Sequence, residues 1–289
     1  MTTEQAYNDL LNDLVTIYER REAVTIADWI FENVTGWKAL ERRFQKHTAL
    51  SADKVQVLKK YHDELVHHKP VQYVLSEAWF FRRKFYVSEN VLIPRPETEE
   101  LVEWVLKDLQ TRPVSTAGKR TEILDIGTGS GCIPISLKNE LMDVSVTAVD
   151  ISSNALSVAE KNAGTLHADI NFIQLDFLNE NDWNSLGVYD IVVSNPPYIP
   201  KEEKSMLEKN VTEFEPGIAL FVNGDNSFIF YESIAKFAIS HLAPNGNAYV
   251  EIHEKDSAEV NAIFLKYNFK TELRKDIYGR ERMIKATLI

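Results

Sequence analysis

The sequence predicts an α/β protein in two parts: a small helical unit, then a parallel sheet covered by helices on both faces. Three observations lead there. Apolar residues recur at helical spacing through residues 1 to about 75. From about residue 121, short apolar runs alternate with helical segments, the element order that winds a parallel sheet. The length, 289 residues, suits about two domains of roughly 150 residues each.

Composition narrows the class. With 44% hydrophobic and 26% charged residues the chain has the means to bury a core, and no low-complexity tract points to disorder. Its longest apolar runs, such as 189–193, fall far short of a bilayer span. Met1-Thr2-Thr3-Glu4-Gln5 lacks the basic-then-apolar order of a signal peptide. Cys132 is the single cysteine, which excludes an intrachain disulfide and a zinc site of several thiolates; the expected compartment is a reducing cytoplasm. Forty-three acidic residues against 32 basic ones give a net charge of -11, the wrong sign for gripping duplex nucleic acid by its backbone. The chain is expected to be a monomer, off the membrane and without a direct nucleic-acid substrate.

Taken in order, Leu10, Leu11, Leu14, Ile17 and Tyr18 form one helical stripe, and Ile26, Trp29, Ile30 and Val34 another. A third runs over 54–67 through Val55, Leu58, Tyr61 and Leu65, and Pro70 is read as the stop of the helices. Residues 79–87 are aromatic-rich without helical period, with Arg82-Arg83-Lys84 at their centre, and read as a hairpin or extended linker. Ile93-Pro94-Arg95-Pro96-Glu97-Thr98 is a rigid entry into a helix over 99–109, and 111–120 is a polar loop. Strands are expected at 122–126, 144–149, 170–175, 189–194 and 247–252, and helices at 131–141, 153–163, 226–242 and 256–267. Residues 270–274 and 282–288 are set to pair as a closing antiparallel edge. The boundaries drawn are 1–75 for the helical domain, 76–96 for the hairpin linker and 97–289 for the α/β domain.

The first chemistry-bearing motif is Gly127-Thr128-Gly129-Ser130-Gly131, which runs from a buried strand into a helix. Glycines let a ligand approach the backbone, and a helix start offers free N–H groups. The next strand ends at Asp150, whose carboxylate can accept both hydroxyls of a ribose. A dinucleotide fingerprint wants a third glycine where Cys132 stands, and a P-loop wants Gly-Lys-Ser/Thr. The strict alternation of glycines, with Asp125 just upstream, suits S-adenosylmethionine better than NAD. A ligand-free turn is the plainer alternative, and Asp150 argues against it. Asp176 and Phe177 follow a third strand, where they face an adenine or serve simply as turn and core residues.

Asn195-Pro196-Pro197-Tyr198 is the more specific motif. Its prolines fix the chain and remove two N–H donors, and Asn195 before a proline is held extended. The Asn195 side-chain oxygen and the Pro196 carbonyl are acceptors suited to the two hydrogens of a planar –NH2, with the Tyr198 ring against its plane. Such a nitrogen is a poor nucleophile because its lone pair is delocalised, so its catalysis is alignment. A proline-stiffened turn without chemistry is the bland alternative.

Together, Gly127 to Gly131, Asp150 and Asn195-Pro196-Pro197-Tyr198 resemble the S-adenosylmethionine-dependent amino-methyltransferases. The segment from Ile93 to Glu99 resembles a narrower family, the release-factor glutamine methyltransferases (HemK/PrmC). Pro70-Val71-Gln72-Tyr73, Phe214-Glu215-Pro216 with Ala219-Leu220, Glu251-Ile252 and the ending Lys275-Asp276, Gly279, Arg282 also match it, so the resemblance covers 70–289. It implies a seven-stranded, Rossmann-like class I methyltransferase domain, preceded by a small helical domain and a β-hairpin. It implies as substrate the glutamine of the Gly-Gly-Gln motif in class-1 peptide chain release factors. By position, Gly127, Thr128, Gly129, Ser130 and Gly131 would hold the methionine moiety, Asp150 the ribose and Phe177 the adenine. Asn195, Pro196, Pro197 and Tyr198 would grip the glutamine, with Asn195 also beside the cofactor. Ser76, the loop from Val222 to Asn226, and His253 depart from the glycines common in that family.

The remaining candidates carry less. Seven histidines show no metal spacing, and no metal is expected. Cys132 is read as a packing residue. Arg82-Arg83-Lys84 is a solvated turn or a contact to an acidic partner. Arg95, between two prolines, suits a pair with a carboxylate at the site's rim. The rivals are an adenine-N6 methyltransferase acting on a flipped base and a non-catalytic sensor of S-adenosylmethionine.

Overall fold

Five helices make up the first 75 residues. Thr2 opens α1 (Thr3–Leu14) with a capping box: its hydroxyl accepts the Gln5 N–H, and the Gln5 side chain accepts the Thr2 N–H at 2.9 Å. Then follow α2 (Arg20–Thr35), α3 (Ala39–Phe44), α4 (Ala52–Val66) behind the Ser51 cap, and α5 (Val71–Leu75). In this computed structural model residues 1–111, 120–222 and 226–289 are described; the 112–119 part of the expected polar loop, and Asn223, Gly224 and Asp225, lie outside them. Pro70, expected to stop the helices, instead caps α5, because a helix start has no use for the N–H that proline lacks. Ile17 and Tyr18 fall in the turn after α1, and Trp29 is exposed. Leu10, Leu14, Ile26, Ile30, Phe31 and Leu65 close the core.

One buried cation braces this unit. The Arg42 guanidinium lies 3.6 Å from the Tyr7 ring centre and 2.5 Å from Asp28, which also accepts the Tyr7 hydroxyl at 2.9 Å. Burial, and then the bond to Asp28, push that hydroxyl up to about 12.

The second unit begins with a two-stranded sheet, β1 (Glu77–Phe80) and β2 (Arg83–Tyr86), followed by α6 (Pro96–Thr111). The helix starts earlier than expected because proline suits its first turn. Next come β3 (Thr121–Ile126), α7 (Cys132–Glu140), β4 (Val144–Asp150), α8 (Ser153–Thr165), β5 (Asn171–Gln174) and β6 (Tyr189–Ser194). Two short helices, α9 (Lys209–Phe214) and α10 (Gly217–Leu220), precede α11 (Ile229–His241), β7 (Leu242–Glu251), α12 (Ser257–Lys266), β8 (Phe269–Lys275) and β9 (Glu281–Leu288). Leu242, placed by its pattern at the end of a helix, opens β7 instead. Contacts group Met1–Glu77 with Glu208–Phe214, and Ala78–Leu207 with Glu215–Ile289, so α9 belongs to the first unit.

The seven strands run β5-β4-β3-β6-β7-β9-β8, with β9 antiparallel to both neighbours and the others parallel. Successive residues turn to opposite faces: Ile123 and Ile191 pack with Leu101, Trp104 and Phe85, while Leu124 and Val192 pack with Tyr231 and Phe237. Winding starts at β3, moves out through β4 and β5, and returns on the other side at β6. This reversal opens a crevice at the carboxyl ends of β3 and β6.

Asp28→Ala should strand the Arg42 guanidinium. Urea unfolding is expected to register a loss of about 1–3 kcal/mol, the cost of leaving a buried donor without its acceptor.

Candidate active site

Both predicted motifs follow directly from the adjacent carboxyl ends of β3 and β6. Ser194 is fully buried at the end of β6, and its hydroxyl donates to the Ile126 carbonyl at the end of β3 at 2.8 Å. The strand ends that carry the glycine loop and the asparagine turn are thereby fixed to each other.

In the loop, Gly127, Gly129 and Gly131 all take positive φ, at 72°, 54° and 78°. Gly131 is also hemmed in: a Cβ there would lie 2.9 Å from Ile135 Cδ1 and 3.1 Å from Ala159 Cβ. The N–H groups of Gly127 and Thr128 both donate to the Val149 carbonyl, at 2.9 and 3.0 Å. Asp150 accepts the N–H of Gly129 on one oxygen and of Ser152 on the other, both at 2.9 Å. Burial raises its carboxyl, and these backbone bonds oppose the rise.

Asp125, just before the loop at the end of β3, is fully buried, and the Thr128 hydroxyl is the polar side chain beside it. Burial pushes its carboxyl up to about 7; the adjacent Thr128 hydroxyl holds the rise back and the nearby Asp150 charge adds to it.

Phe177 turns inward. It is 5% exposed, with ring centres of Trp183 and Phe237 at 5.5 and 5.3 Å, and its carbonyl accepts the Trp183 indole N–H at 2.9 Å. Asp176 shapes the turn beside it by accepting the Leu178 N–H at 3.0 Å.

The Asn195 amide nitrogen donates to Thr98 Oγ1 at 3.0 Å, and the Thr98 hydroxyl donates to Glu251 Oε2 at 2.6 Å. Thr98 and Glu251 are each 2% exposed. Burial pushes the Glu251 carboxyl up to about 7 against the pull of the Thr98 bond and Arg282. Pro196 is buried. The Tyr198 ring stands 6.0 Å from that of His253, and burial raises its hydroxyl. Beyond the turn, Ile199 trades backbone bonds with Leu220 and Val222, each 3.1 Å.

Several of these residues went unassigned in the sequence. Arg95 finds the carboxylate its setting suggested: Glu215, with 1% side-chain exposure, accepts Arg95 Nη2 at 2.6 Å and the Ile93 N–H at 3.3 Å. Asn162, inside α8, accepts the Tyr86 N–H at 2.7 Å and donates to the Tyr86 and Ser130 carbonyls at 2.9 Å each. The signal that could have found it is an amide on the apolar stripe of Ala155, Val158 and Ala159. Arg82 and Arg83 both reach Glu140, at 3.1 and 2.7 Å. Cys132 is buried, which raises its thiol to about 12. Ser76 takes φ 55°, where glycine carries no steric cost, and Asn226 caps the α11 turn by accepting the Phe228 N–H. Among the described residues no cluster of three or more His, Cys, Asp or Glu could hold a metal ion, and no helix is long and apolar enough to cross a membrane.

A seven-stranded sheet of this order, with a glycine loop after β3 and an acidic residue ending β4, defines a class I methyltransferase. The family model of the methyltransferase small domain matches residues 103–271, and that of the PrmC N-terminal domain matches 10–75. The hMettl16 catalytic domain, solved with the MAT2A 3'UTR hairpin 6, shares the fold: TM-score 0.54 and 15% identity, over 71% of this chain and 75% of that one. The release factor glutamine methyltransferase of Flavobacterium psychrophilum is 50% identical over 77% of each chain. That of Bacteroides thetaiotaomicron is 37% identical over 94% of this chain and 95% of its own, and that of Streptococcus pneumoniae 35% over 98% of each. The chain belongs to the release factor glutamine methyltransferase family.

Gly131→Ala should force both a left-handed alanine and a clash with Ile135 and Ala159. Thermal and urea unfolding are expected to show a loss of about 1–3 kcal/mol, typical of overpacking.

Proposed function

We propose that the protein transfers a methyl group from S-adenosylmethionine to the side-chain amide nitrogen of the glutamine in the Gly-Gly-Gln motif of class-1 peptide chain release factors. It does so as a cytoplasmic monomer, with residues 1–75 docking the release factor. The observation that carries this reading is the placement of Asn195 and Pro196 at the end of β6, tied through Ser194 to the strand that bears the glycine loop.

The residues present fit the cofactor. Asp150 offers a carboxylate suited to a ribose diol and the opened backbone of Gly127 to Gly131 suits the methionine moiety, while the Phe177 ring packs in the core against Trp183 and Phe237. Asp125, buried near the glycine loop with its carboxyl raised to about 7, would be drawn toward its ionised form by a ligand that carries positive charge. When bound, S-adenosylmethionine supplies an electrophilic methyl on a sulfonium.

The chain's own residues prepare the nitrogen. The Asn195 side-chain carbonyl and the Pro196 carbonyl accept its two N–H groups, drawing the nitrogen out of conjugation and aiming its lone pair. Pro197 stiffens the turn, and the Tyr198 ring holds the amide plane. No base is needed before attack, because the proton becomes acidic only once the nitrogen carries positive charge. Alignment of this kind is worth about 7–11 kcal/mol in well-oriented systems.

Mass spectrometry of a release factor incubated with the enzyme and S-adenosylmethionine should find one added methyl on the Gly-Gly-Gln glutamine; a release factor recovered with that glutamine unmodified would overturn the reading. Asp150→Ala should weaken calorimetric cofactor binding by about 1.5–3 kcal/mol, the worth of a hydrogen bond to a charged group. Asn195→Ala should retain cofactor binding while its single-turnover rate falls on the order of 100-fold or more, as for loss of a positioned polar group at the reacting atom.

A further inference from the structure

We propose that Thr98 and Glu251 form a relay that sets which end of the Asn195 amide faces the substrate, making both positioning residues for methyl transfer. The inference rests on the reading of Asn195 as the group that grips the substrate amide.

A primary amide has two ends of nearly equal size and opposite character, one accepting and one donating. Only the carbonyl end suits a substrate –NH2, which brings hydrogens to the contact. The backbone of Asn195 is already restricted by Pro196, so the turning of its amide group is the freedom left to control. Thr98 controls it by arithmetic. Its hydroxyl has one proton, and an ionised Glu251 can only accept, so that proton is committed to Glu251 Oε2 at 2.6 Å. What remains on Thr98 Oγ1 is lone pairs, which take the Asn195 amide nitrogen at 3.0 Å. The nitrogen end is thereby held, and the carbonyl is left for the substrate.

The direction of the chain depends on the charge of Glu251. A protonated Glu251 can donate to Thr98, whose own proton then turns to Asn195 and captures the carbonyl. The amide would present donors to a nitrogen that itself brings donors. Both Thr98 and Glu251 are buried, so water cannot substitute for either partner. Thr98 is set by the rigid start of α6, where its N–H donates to the Arg95 carbonyl at 3.1 Å.

The groups facing Glu251 come from every neighbouring element: Arg282 on β9, Arg95 and Glu97 around the start of α6, Tyr198 after β6, and Cys132 at the start of α7. Tyr231 on α11 donates its hydroxyl to the Glu251 backbone carbonyl at 3.0 Å. With its carboxyl raised to about 7, Glu251 is ionised above that pH and protonated below it. The methyl-transfer rate should therefore fall as pH drops through about 7 and level off above it.

The test follows single-turnover methylation of a Gly-Gly-Gln release factor from acid to alkaline pH, with calorimetry of S-adenosylmethionine in parallel. Thr98→Val should be slower by about tenfold or more and lose the acid limb, while cofactor affinity stays within about twofold. Thr98→Ser should restore both rate and limb, and Glu251→Gln should abolish the limb. Thr98→Val at the wild-type rate, or an acid limb that survives Glu251→Gln, would overturn the relay. A second measurement needs no substrate: the Asn195 side-chain amide resonance, identified by its absence in Asn195→Ala, should shift with pH around 7 and cease to shift in Glu251→Gln. A resonance that ignores pH sinks the relay whatever the substrate is. A titrating resonance in a protein that never methylates the release factor sinks the substrate reading alone.

Discussion

The bond from the Ser194 hydroxyl to the Ile126 carbonyl joins the two strand ends from which everything functional in this molecule grows. A parallel sheet already places β3 beside β6, but register alone leaves the chain ends beyond the last ladder pair free to splay. A buried side-chain bond at that last pair removes the freedom. The glycine loop on one side and the asparagine turn on the other then inherit a fixed separation. Asp150 extends the same frame to β4 by binding the Gly129 N–H, so three successive strand ends form one rigid lip.

Four acidic side chains near this lip have four environments, and the differences follow from their partners. Glu215 is buried but spans Arg95 and a backbone N–H, and it works as a clasp between segments distant in sequence. Asp150 is held by two backbone donors. Glu251 has a hydroxyl on one oxygen and cations at longer range. Asp125 has only the Thr128 hydroxyl beside it and no cation. Ranked by satisfaction, the last two are the ones whose carboxyls rise to about 7. Burial without enough partners is costly to a charge, and both groups border the loops read here as functional.

Much of this was legible in the sequence because it is local. The strand cores, the strand-to-helix glycines and the proline-stiffened turn are written in consecutive residues, and each folds much as its pattern says. Boundaries moved where one residue has two uses, as at Pro70 and Pro96, where proline starts a helix rather than ending or merely preceding one. The partners of the site were not legible as partners. Thr98 and Glu251 lie 153 residues apart, Arg95 and Glu215 lie 120 apart, and Asn162 reaches Tyr86 across 76. A side-chain bond over such distances leaves no periodic trace. At Phe177 the sequence left two readings, an adenine contact or a core residue, and the ring packs among Trp183 and Phe237, where a large aromatic gains contact area.

Helix α9 has a consequence for how the molecule can come apart. Because Glu208–Phe214 belongs to the helical unit while the chain before and after it belongs to the sheet, the two units are threaded rather than strung. A single proteolytic cut after Glu77 would not release the helical unit cleanly, since one of its pieces would remain covalently attached between the asparagine turn and Glu215.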